Sequence, residues 1–278
     1  MPGIASIEAA FPRPAVVGIV NVTPDSFSDG GDALDQRIAI ARGLEQVTAG
    51  AAIVDIGGES TRPGAEPVAP EEELRRVRFV VEELARLGAT ISIDTRNAPV
   101  AAAAVAAGAS LVNDVSALRH DPHMAGVVAD AGVGLCLMHM LGDDPRTMQD
   151  DPRYGDVVDD VASFLEDRLA AAVDAGVREE RICLDPGIGF GKTMEHNLQL
   201  LRGLPRLARI GRPLLVGVSR KSFLARLTHP GPARERVAAS LAATVEAYRF
   251  GASLLRVHDV AETVDALKIV RALEVADG

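Results

Sequence analysis

The chain has 278 residues, of which 47% are hydrophobic, so it can bury one large core or two small ones. Its formal net charge of −10 excludes a general attraction to nucleic acid or to an anionic membrane, so any anionic ligand needs a local cluster of bases. No apolar run reaches the ~20 residues of a membrane helix, no signal peptide is visible, and the two cysteines, Cys136 and Cys183, lie in apolar runs. We therefore expect a cytoplasmic protein with reduced thiols.

Eight short apolar runs, rich in Val, Ile and Leu, follow one another along the chain. They do not alternate with polar residues, which is typical of parallel strands buried on both faces. Segments with helical spacing lie between them; over 70–84, apolar residues recur three or four positions apart and acidic residues fill the first turn. The predicted strands cover 16–20, 52–56, 90–94, 110–114, 133–139, 181–185, 213–219 and 253–258.

A glycine precedes each predicted strand from the second to the eighth. Such a glycine accepts the left-handed conformation just past a helix, so its recurrence indicates a repeated helix–Gly–strand unit. These glycines are Gly50, Gly88, Gly108, Gly132, Gly176, Gly211 and Gly251. Eight strands alternating with helices predict a closed (β/α)8 barrel or a doubly wound open sheet. Strand number and chain length favour an α/β protein made of a single (β/α)8 TIM barrel, with residues 1–278 as one domain and the barrel over about 15–275.

Polar residues stand where the predicted strands end, and in a barrel these ends carry the active site. Any one of them could be a cap or a solvated turn. Eight such ends on one rim indicate contacts to a ligand, because buried carboxylates and amides need partners. The residues are Asn21, Asp55, Asp94, Asn113, Asp114, His139, Asp185, Ser219, Arg220, Lys221, Arg256, His258 and Asp259.

The rim residues fall into two chemical groups. Asp94, Asn113 and Asp185 can accept hydrogen bonds from the N–H and NH2 groups of a flat polar heterocycle. The second group is basic and suits a di-anion or a phosphate chain; it contains Arg62, Arg220, Lys221, Arg256 and His258. Together the two groups predict a heterocycle that carries a phosphate or pyrophosphate.

Two glycine-containing segments follow strand ends. "NVTPDSFSDGG" (21–31) is either a lid, with apolar Phe27 at its tip and glycines as hinges, or a solvated loop. "GIGFGKT" (187–193) is similar to a phosphate-binding P-loop, but three residues rather than four separate Gly187 from the Gly-Lys pair. We interpret these glycines as allowing close approach of the backbone to a ligand.

Several motifs resemble, in the same order, those of bacterial dihydropteroate synthases in the pterin-binding barrel family. The resemblance covers about residues 16–273 and rests on "NVTPDSFSDGG", "DIGGESTRPGA", "SIDT", "VNDVS", "LMHM", "LDPGIGFGK", "VGVSRKSFL" and "RVHDV". It implies condensation of 6-hydroxymethyl-7,8-dihydropterin pyrophosphate with 4-aminobenzoate to give 7,8-dihydropteroate and pyrophosphate, in folate biosynthesis.

The resemblance also implies roles for individual residues. The pterin site would contain Asp94, Asn113, Asp185, Lys221, Met138 and Gly217, with Asp94, Asp185 and Lys221 acting in catalysis. Pyrophosphate would contact Asn21, Arg62, Arg256 and His258, and Asn21 would bind Mg²⁺. The aminobenzoate pocket would contain Phe27, Thr61, Pro63, Phe190 and Ser222, and Asp29 would lie with Phe27 on the first loop. The family also suggests a homodimer.

The residues agree with this chemistry. Pyrophosphate is a competent leaving group once its charge is neutralised, and an aryl amine is already nucleophilic at neutral pH, so no covalent nucleophile is needed.

Two alternative functions stay open. A methyltetrahydrofolate-dependent methyltransferase shares the barrel and the pterin site but needs no pyrophosphate contacts, which "SRK" and "RVHD" would supply here. A catalytically silent pterin-binding paralogue is the other.

Overall fold

The computed structural model of the chain describes residues 3–23, 32–60, 66–144 and 146–276. Eight strands alternate with helices along this part of the chain. The strands are β1 (Ala15–Asn21), β2 (Ile53–Gly57), β3 (Ile91–Asp94), β4 (Leu111–Asp114), β5 (Gly134–Met138), β6 (Ile182–Asp185), β7 (Leu215–Val216) and β8 (Leu254–Val257).

Ten α-helices are present in the described ranges. They are α1 (Ile7–Ala10), α2 (Asp32–Thr48), α3 (Pro70–Arg86), α4 (Ala98–Ala106), α5 (Met124–Ala131), α6 (Val157–Asp174), α7 (Met194–Leu207), α8 (Ser222–Leu227), α9 (Val237–Arg249) and α10 (Val260–Ala276). No helix in the described part of the chain is long and apolar enough to cross a membrane.

All strand pairs are parallel, and the sheet has the order β6-β5-β4-β3-β2-β1-β8-β7. Its two outer strands meet through a parallel bridge between Leu184 and Leu214, where the Leu184 N–H donates to Pro213 O at 2.9 Å. The sheet therefore curls into a nearly closed barrel, which confirms the predicted (β/α)8 TIM barrel.

The seven predicted helix-ending glycines all have φ between 65° and 119°, so the repeated helix–Gly–strand unit is confirmed as well.

The seventh strand is much shorter than predicted. Regular pairing covers only Leu215–Val216 instead of residues 213–219. Pro213 has no N–H to donate, and the N–H groups of Ser253 and Leu254 both converge on Leu214 O. Pairing begins only after this point, and the polar end of the segment leaves the ladder.

Side chains inside the barrel change character along its axis. Alternate residues of each strand point inward, and the inward residues near the N-terminal end are apolar. These pack with α1, whose Ile7 closes that end together with Phe11 just beyond the helix. The set includes Val17, Ile53, Leu111, Cys136, Cys183, Leu215 and Leu254. Cys136 and Cys183 are register partners on β5 and β6 and are both free thiols.

Candidate active site at the carboxyl end of the barrel

The next inward position on several strands is polar. Asp55, Asn113, Asp185 and Arg256 each follow a residue of the apolar layer by two positions, so their side chains point into the barrel at its carboxyl end. Asp94 occupies the corresponding place on β3, two residues after the buried Ser92. These five side chains form the centre of the site.

Arg256 joins the acidic side chains of this centre. Its Nε donates to Asp55 Oδ2 at 2.6 Å, and its Nη2 donates to Asp94 Oδ2 at 2.7 Å. Asn113 Nδ2 donates to the same oxygen of Asp55 at 3.1 Å. The acidic and basic groups that the sequence suggested as separate halves of the rim are therefore interleaved.

The carboxyl groups are held away from water. Burial raises the pKa of Asp94 to about 7, against the opposing effect of the Arg256 charge. Burial also raises the pKa of Asp185 to about 6, although the Gly187 N–H and the nearby lysines favour its ionised form. Burial disfavours the charge on Arg256, but Asp55 and Asp94 more than compensate and raise its pKa. Arg256 therefore stays cationic, and Asp94 and Asp185 ionise at unusually high pH.

Two acceptor atoms in this centre have no protein partner among the residues that the structure describes. Within the described part of the chain, Asp55 Oδ1 and Asn113 Oδ1 are buried and accept no hydrogen bond. An unpaired buried acceptor costs about 1–3 kcal/mol. A ligand with N–H donors would satisfy both atoms, so the centre fits a donor-rich heterocycle.

Asp185, Lys221 and Phe190 form one side of the site. Asp185 Oδ1 accepts from the Gly187 N–H at 2.7 Å. Lys221 Nζ lies 4.1 Å from the centroid of the Phe190 ring. Lys221 also lies within electrostatic reach of Asp185. The pterin and aminobenzoate assignments made from the resemblance therefore fall next to each other.

His258 is oriented by Ser219. The backbone N–H of His258 donates to Ser219 Oγ at 3.2 Å, and the same Oγ lies 3.0 Å from His258 Nδ1. In the neutral tautomer that carries its hydrogen on Nε2, the ring accepts the hydroxyl hydrogen at Nδ1; in the other tautomer, Nδ1 donates to the hydroxyl oxygen. Burial and the charges of Arg220 and Arg256 lower the pKa of His258 to about 3, so the ring is neutral. In the first of these tautomers it can donate one hydrogen bond from Nε2.

Asn21 ends β1 beside a gap in the side-chain layer. A Cβ atom at Gly57 would lie 3.7 Å from both Asn21 Oδ1 and Asp94 Oδ2, so the glycine leaves the space between them open. Amide and carboxylate oxygens are suitable donors for Mg²⁺. Among the described residues, no group of three or more His, Cys, Asp or Glu side chains could hold a metal.

The other predicted site residues within the described ranges also lie at this end. Met138 is buried at the end of β5, in a small cluster with Met140 and Met148 against which Phe190 packs. A Cβ atom at Gly217 would lie 3.6 Å from Arg256 Cβ, so this glycine leaves room beside Arg256. Ser222 is the exposed first residue of α8. Phe27, Asp29, Thr61, Arg62 and Pro63 lie outside the described residues.

Four rim residues have internal roles rather than ligand-facing ones. Asp114 accepts from Ser116 and Leu118 and closes the turn after β4. His139 Nδ1 lies 2.9 Å from Lys192 Nζ, and its ring packs edge-on against Phe164.

Arg220 and Asp259 are the other two and form an ion pair with each other. The sequence grouped Arg220 with the residues that suit an anion. Its guanidinium is paired with Asp259 in this structure, and its contribution to anion binding stays a prediction. Asp114 and His139 each directly follow an inward residue of a strand, so they point away from the barrel interior.

Asp55 is the residue of the centre that the sequence placed on the rim but assigned to neither chemical group. It is 1% exposed and contacts both Arg256 and Asn113. The sequence signal for its role is its position two residues after Ile53, which places both side chains on the face of β2 that points into the barrel. That alternation is hard to see in the sequence because both faces of the strand are buried.

Comparison with known proteins agrees with this arrangement. The family model for pterin binding enzymes matches residues 17–258. The dihydropteroate synthase of Neisseria meningitidis serogroup B is 48% identical over 271 residues, which are 96% of this chain and 95% of that protein.

Two solved structures are also similar. The dihydropteroate synthase of Xanthomonas albilineans with 4-aminobenzoic acid has a TM-score of 0.89 and 51% identity, covering 95% of this chain and 94% of that one. The Yersinia pestis dihydropteroate synthase with a sulfonamide drug has a TM-score of 0.89 and 45% identity, covering 95% of each chain. Taken with the polar centre at the carboxyl end of the barrel, these matches show that the chain belongs to the pterin-binding enzyme family and, within it, to the dihydropteroate synthases.

Proposed function

We propose that the centre around Arg256 binds 6-hydroxymethyl-7,8-dihydropterin pyrophosphate and transfers its pterin methylene group to 4-aminobenzoate. The observation that carries the residue assignment is the pair of buried, unpartnered acceptors, Asp55 Oδ1 and Asn113 Oδ1. The pterin ring presents N–H and NH2 donors, which these atoms and Asp185 Oδ2 would accept.

The pyrophosphate lies towards β1 and β8 in this proposal. Arg256 supplies positive charge, and His258 donates from Nε2 without needing to be protonated. Arg62 is assigned to the same group from the family resemblance alone. A neutral donor and a permanent cation retain their ability to hold the anion across the physiological pH range.

The reaction then needs no covalent intermediate with the protein. The bond between the methylene carbon and the pyrophosphate oxygen breaks, and its electron pair leaves with pyrophosphate. The cationic methylene is conjugated with the dihydropterin ring, where the carboxylates of Asp94 and Asp185 stabilise the charge. The amine nitrogen of 4-aminobenzoate forms the new C–N bond and loses a proton. Lys221 and Phe190 would hold the two substrates side by side.

Magnesium is proposed as the cofactor, with Asn21 Oδ1 as its protein ligand. When bound, Mg²⁺ would neutralise charge on the leaving pyrophosphate. Asn21→Ala should weaken metal-dependent pyrophosphate binding without lowering the Tm. Calorimetric titration of pyrophosphate with and without Mg²⁺ measures this effect. Equal metal dependence in both proteins would remove Asn21 from the metal site.

The experiment that tests the function is an assay of pyrophosphate release with and without 4-aminobenzoate. A dihydropteroate synthase releases pyrophosphate from the pterin substrate in step with consumption of 4-aminobenzoate. A silent paralogue would bind the pterin without releasing pyrophosphate, and a methyltransferase would not use the pyrophosphate substrate.

A sulfonamide should inhibit competitively with 4-aminobenzoate, because it has the same aniline end. Inhibition that excess 4-aminobenzoate cannot relieve would contradict the pocket assignment.

A homodimer is also proposed, with the exposed apolar stripe of α10 as its interface. Ile269 and Leu273 lie one helical turn apart and are 65% and 56% exposed, which is unusual for large aliphatic side chains that stay in water. Ile269→Asp should shift the protein to monomers in light scattering. Phe79→Asp, at an exposed aromatic residue on α3, is the matched control and should leave the oligomeric state unchanged.

The two free buried thiols support a reducing, cytoplasmic location.

A further inference from the structure

The loop that carries Phe190 is held by three side chains on three successive carbonyl groups. Gln149 Nε2 donates to Gly189 O at 2.6 Å, and Lys192 Nζ donates to Phe190 O at 2.9 Å. The hydroxyl of Tyr154 donates to Gly191 O at 2.8 Å. The Gly189 N–H also donates to the side chain of Asn197, at 2.7 Å.

This loop can reach its position only because it contains glycines. A Cβ atom at Gly187 would lie 1.8 Å from His139 O, and one at Gly191 would lie 2.3 Å from Leu141 Cβ. Both glycines also have positive φ, of 66° and 65°. The loop therefore lies directly on the segment that follows β5, and it has few side chains of its own with which to fix its position.

Gln149 and Tyr154 both come from that segment, for which the sequence suggested no function. Both side chains are partly buried. Burial raises the pKa of Tyr154 above its usual value, so the hydroxyl keeps its hydrogen and remains a donor at neutral pH. Lys192 differs from them because its amine also contacts His139 in the interior.

We propose that Gln149 and Tyr154 are positioning residues that hold the 187–192 loop so that Phe190 forms its side of the 4-aminobenzoate pocket. The inference rests on the proposed function, since it takes from it the assignment of Phe190 to that pocket. Phe190 is coupled on its other side to Lys221, so a displaced loop would move the ring away from the point where the two substrates meet.

The test uses substitutions that remove one donor atom group and little else. Tyr154→Phe deletes the hydroxyl, and Gln149→Met keeps the length of the side chain without the amide. Each should raise the KM for 4-aminobenzoate about fivefold, the change equivalent to one ordinary hydrogen bond, and the double variant should raise it further. The KM for the pterin pyrophosphate should change by less than about twofold, because the centre around Arg256 does not depend on these bonds.

The chain offers matched controls. Tyr248, the only other tyrosine, is buried and donates its hydroxyl to Glu274 far from the site. Gln36 donates its amide to the backbone oxygen of Arg75 on the outside of the barrel. Tyr248→Phe and Gln36→Met remove equivalent bonds and should leave both KM values unchanged. They also show how much Tm falls when such a bond is lost.

The outcomes separate this inference from the proposed function. Phe190→Ala should raise the KM for 4-aminobenzoate if the pocket assignment is right. If it does so while Tyr154→Phe and Gln149→Met leave that KM unchanged, or raise both KM values equally, the positioning inference is wrong and the function stands. If Phe190→Ala has no effect on that KM, the pocket assignment fails, and the inference fails with it. Absence of pyrophosphate release by the unmutated enzyme would overturn the proposed function itself.

Discussion

The two ends of the barrel are built from the same strands but do opposite things. At the N-terminal end, Leu111, Cys183 and Leu254 pack with α1 in an apolar layer. Two residues further along each of these strands stand Asn113, Asp185 and Arg256. The first layer stabilises the fold by burying apolar surface. The second layer holds buried acceptors without partners and carboxyl groups whose pKa values are raised by burial.

The two ends differ because the groups that can bind a ligand are buried polar groups, which lower the stability of the free protein. Buried groups that lack partners in the free protein are those that a ligand can satisfy, and their unfavourable desolvation is reduced on binding. Arg256 is the exception at the carboxyl end, because its ion pairs with Asp55 and Asp94 belong to the unliganded protein. Substitutions at the two ends should therefore separate stability from function, except at Arg256.

Arg256→Ala should have the largest combined effect. It leaves Asp55 and Asp94 buried without their counter-ion, which should lower the unfolding free energy by about 3–5 kcal/mol. It should also weaken binding of the pterin pyrophosphate more than binding of the pterin alcohol, which lacks phosphates. Urea unfolding measures the first effect and calorimetry with both ligands measures the second. Equal losses for the two ligands would mean that Arg256 has a structural role alone.

Leu254→Ala, two residues earlier on the same strand, should affect stability alone. Removing a buried leucine from the closed end should cost about 2–5 kcal/mol of unfolding free energy. The kcat/KM per folded molecule should stay within about twofold, because no ligand-facing group changes. Urea unfolding and steady-state kinetics on the folded fraction measure the two quantities. A large fall in kcat/KM would show that the two ends are coupled, and it would contradict the separation of stability from function.

Asp185→Asn should have the reverse effect. Asparagine can still accept from the Gly187 N–H, but it replaces the ligand-facing oxygen by a donor, which should cost about 2–4 kcal/mol in kcat/KM. Stability at pH 8 should not fall, because the variant no longer has a buried carboxylate to ionise. Steady-state kinetics and thermal unfolding at pH 8 measure both. A change in kcat/KM below about threefold would remove Asp185 from the pterin site.

The pH dependence gives a finer test of the same residue. The folded-state pKa of about 6 lies above the ordinary value of 3.8 for an aspartate, so the folded protein holds this proton more tightly than the unfolded chain. The stabilising contribution of the protonated group is therefore present below about pH 4 and is lost as pH rises through about 6. Hence the Tm of Asp185→Asn relative to that of the unmutated protein should be highest at pH 8 and should decline towards pH 5. The kcat/KM of the unmutated enzyme should begin to fall as pH drops below about 7 and fall further below about 6, because the mechanism uses the ionised forms of Asp94 and Asp185. A kcat/KM that stays flat from pH 8 to 5 would contradict this assignment.

Ser219→Ala should have the smallest effect. It removes the hydroxyl that would favour the Nε2–H tautomer of His258, so pyrophosphate affinity should fall by about 1 kcal/mol, or about fivefold. Nitrogen NMR of the imidazole should show a mixture of the two neutral tautomers, and Ser219→Thr should restore both properties. Ser110→Ala is a control at the start of β4, where the hydroxyl contacts only a backbone oxygen. Unchanged tautomer signals in Ser219→Ala would refute the orienting role.

The barrel and the types of residue on its rim could be predicted from local sequence patterns. Eight apolar runs separated by helix-ending glycines are local patterns, and each repeats the same backbone requirement, so the fold could be predicted without long-range information. Asp94, Asn113 and Asp185 could be placed at strand ends for the same reason.

Which polar residues face a ligand and which contact other parts of the protein depends on long-range packing. Asp55 and Asp94 meet Arg256 across 201 and 162 positions of chain, and a local pattern does not encode such a contact. A shift of one residue along a strand moves a side chain from the barrel interior to the helix layer. Asn113 therefore faces the site, whereas Asp114 closes a turn. Gln149 and Tyr154 act on backbone oxygens 40 and 37 residues away. Their function is invisible in the sequence because a backbone carbonyl has the same chemistry at every residue.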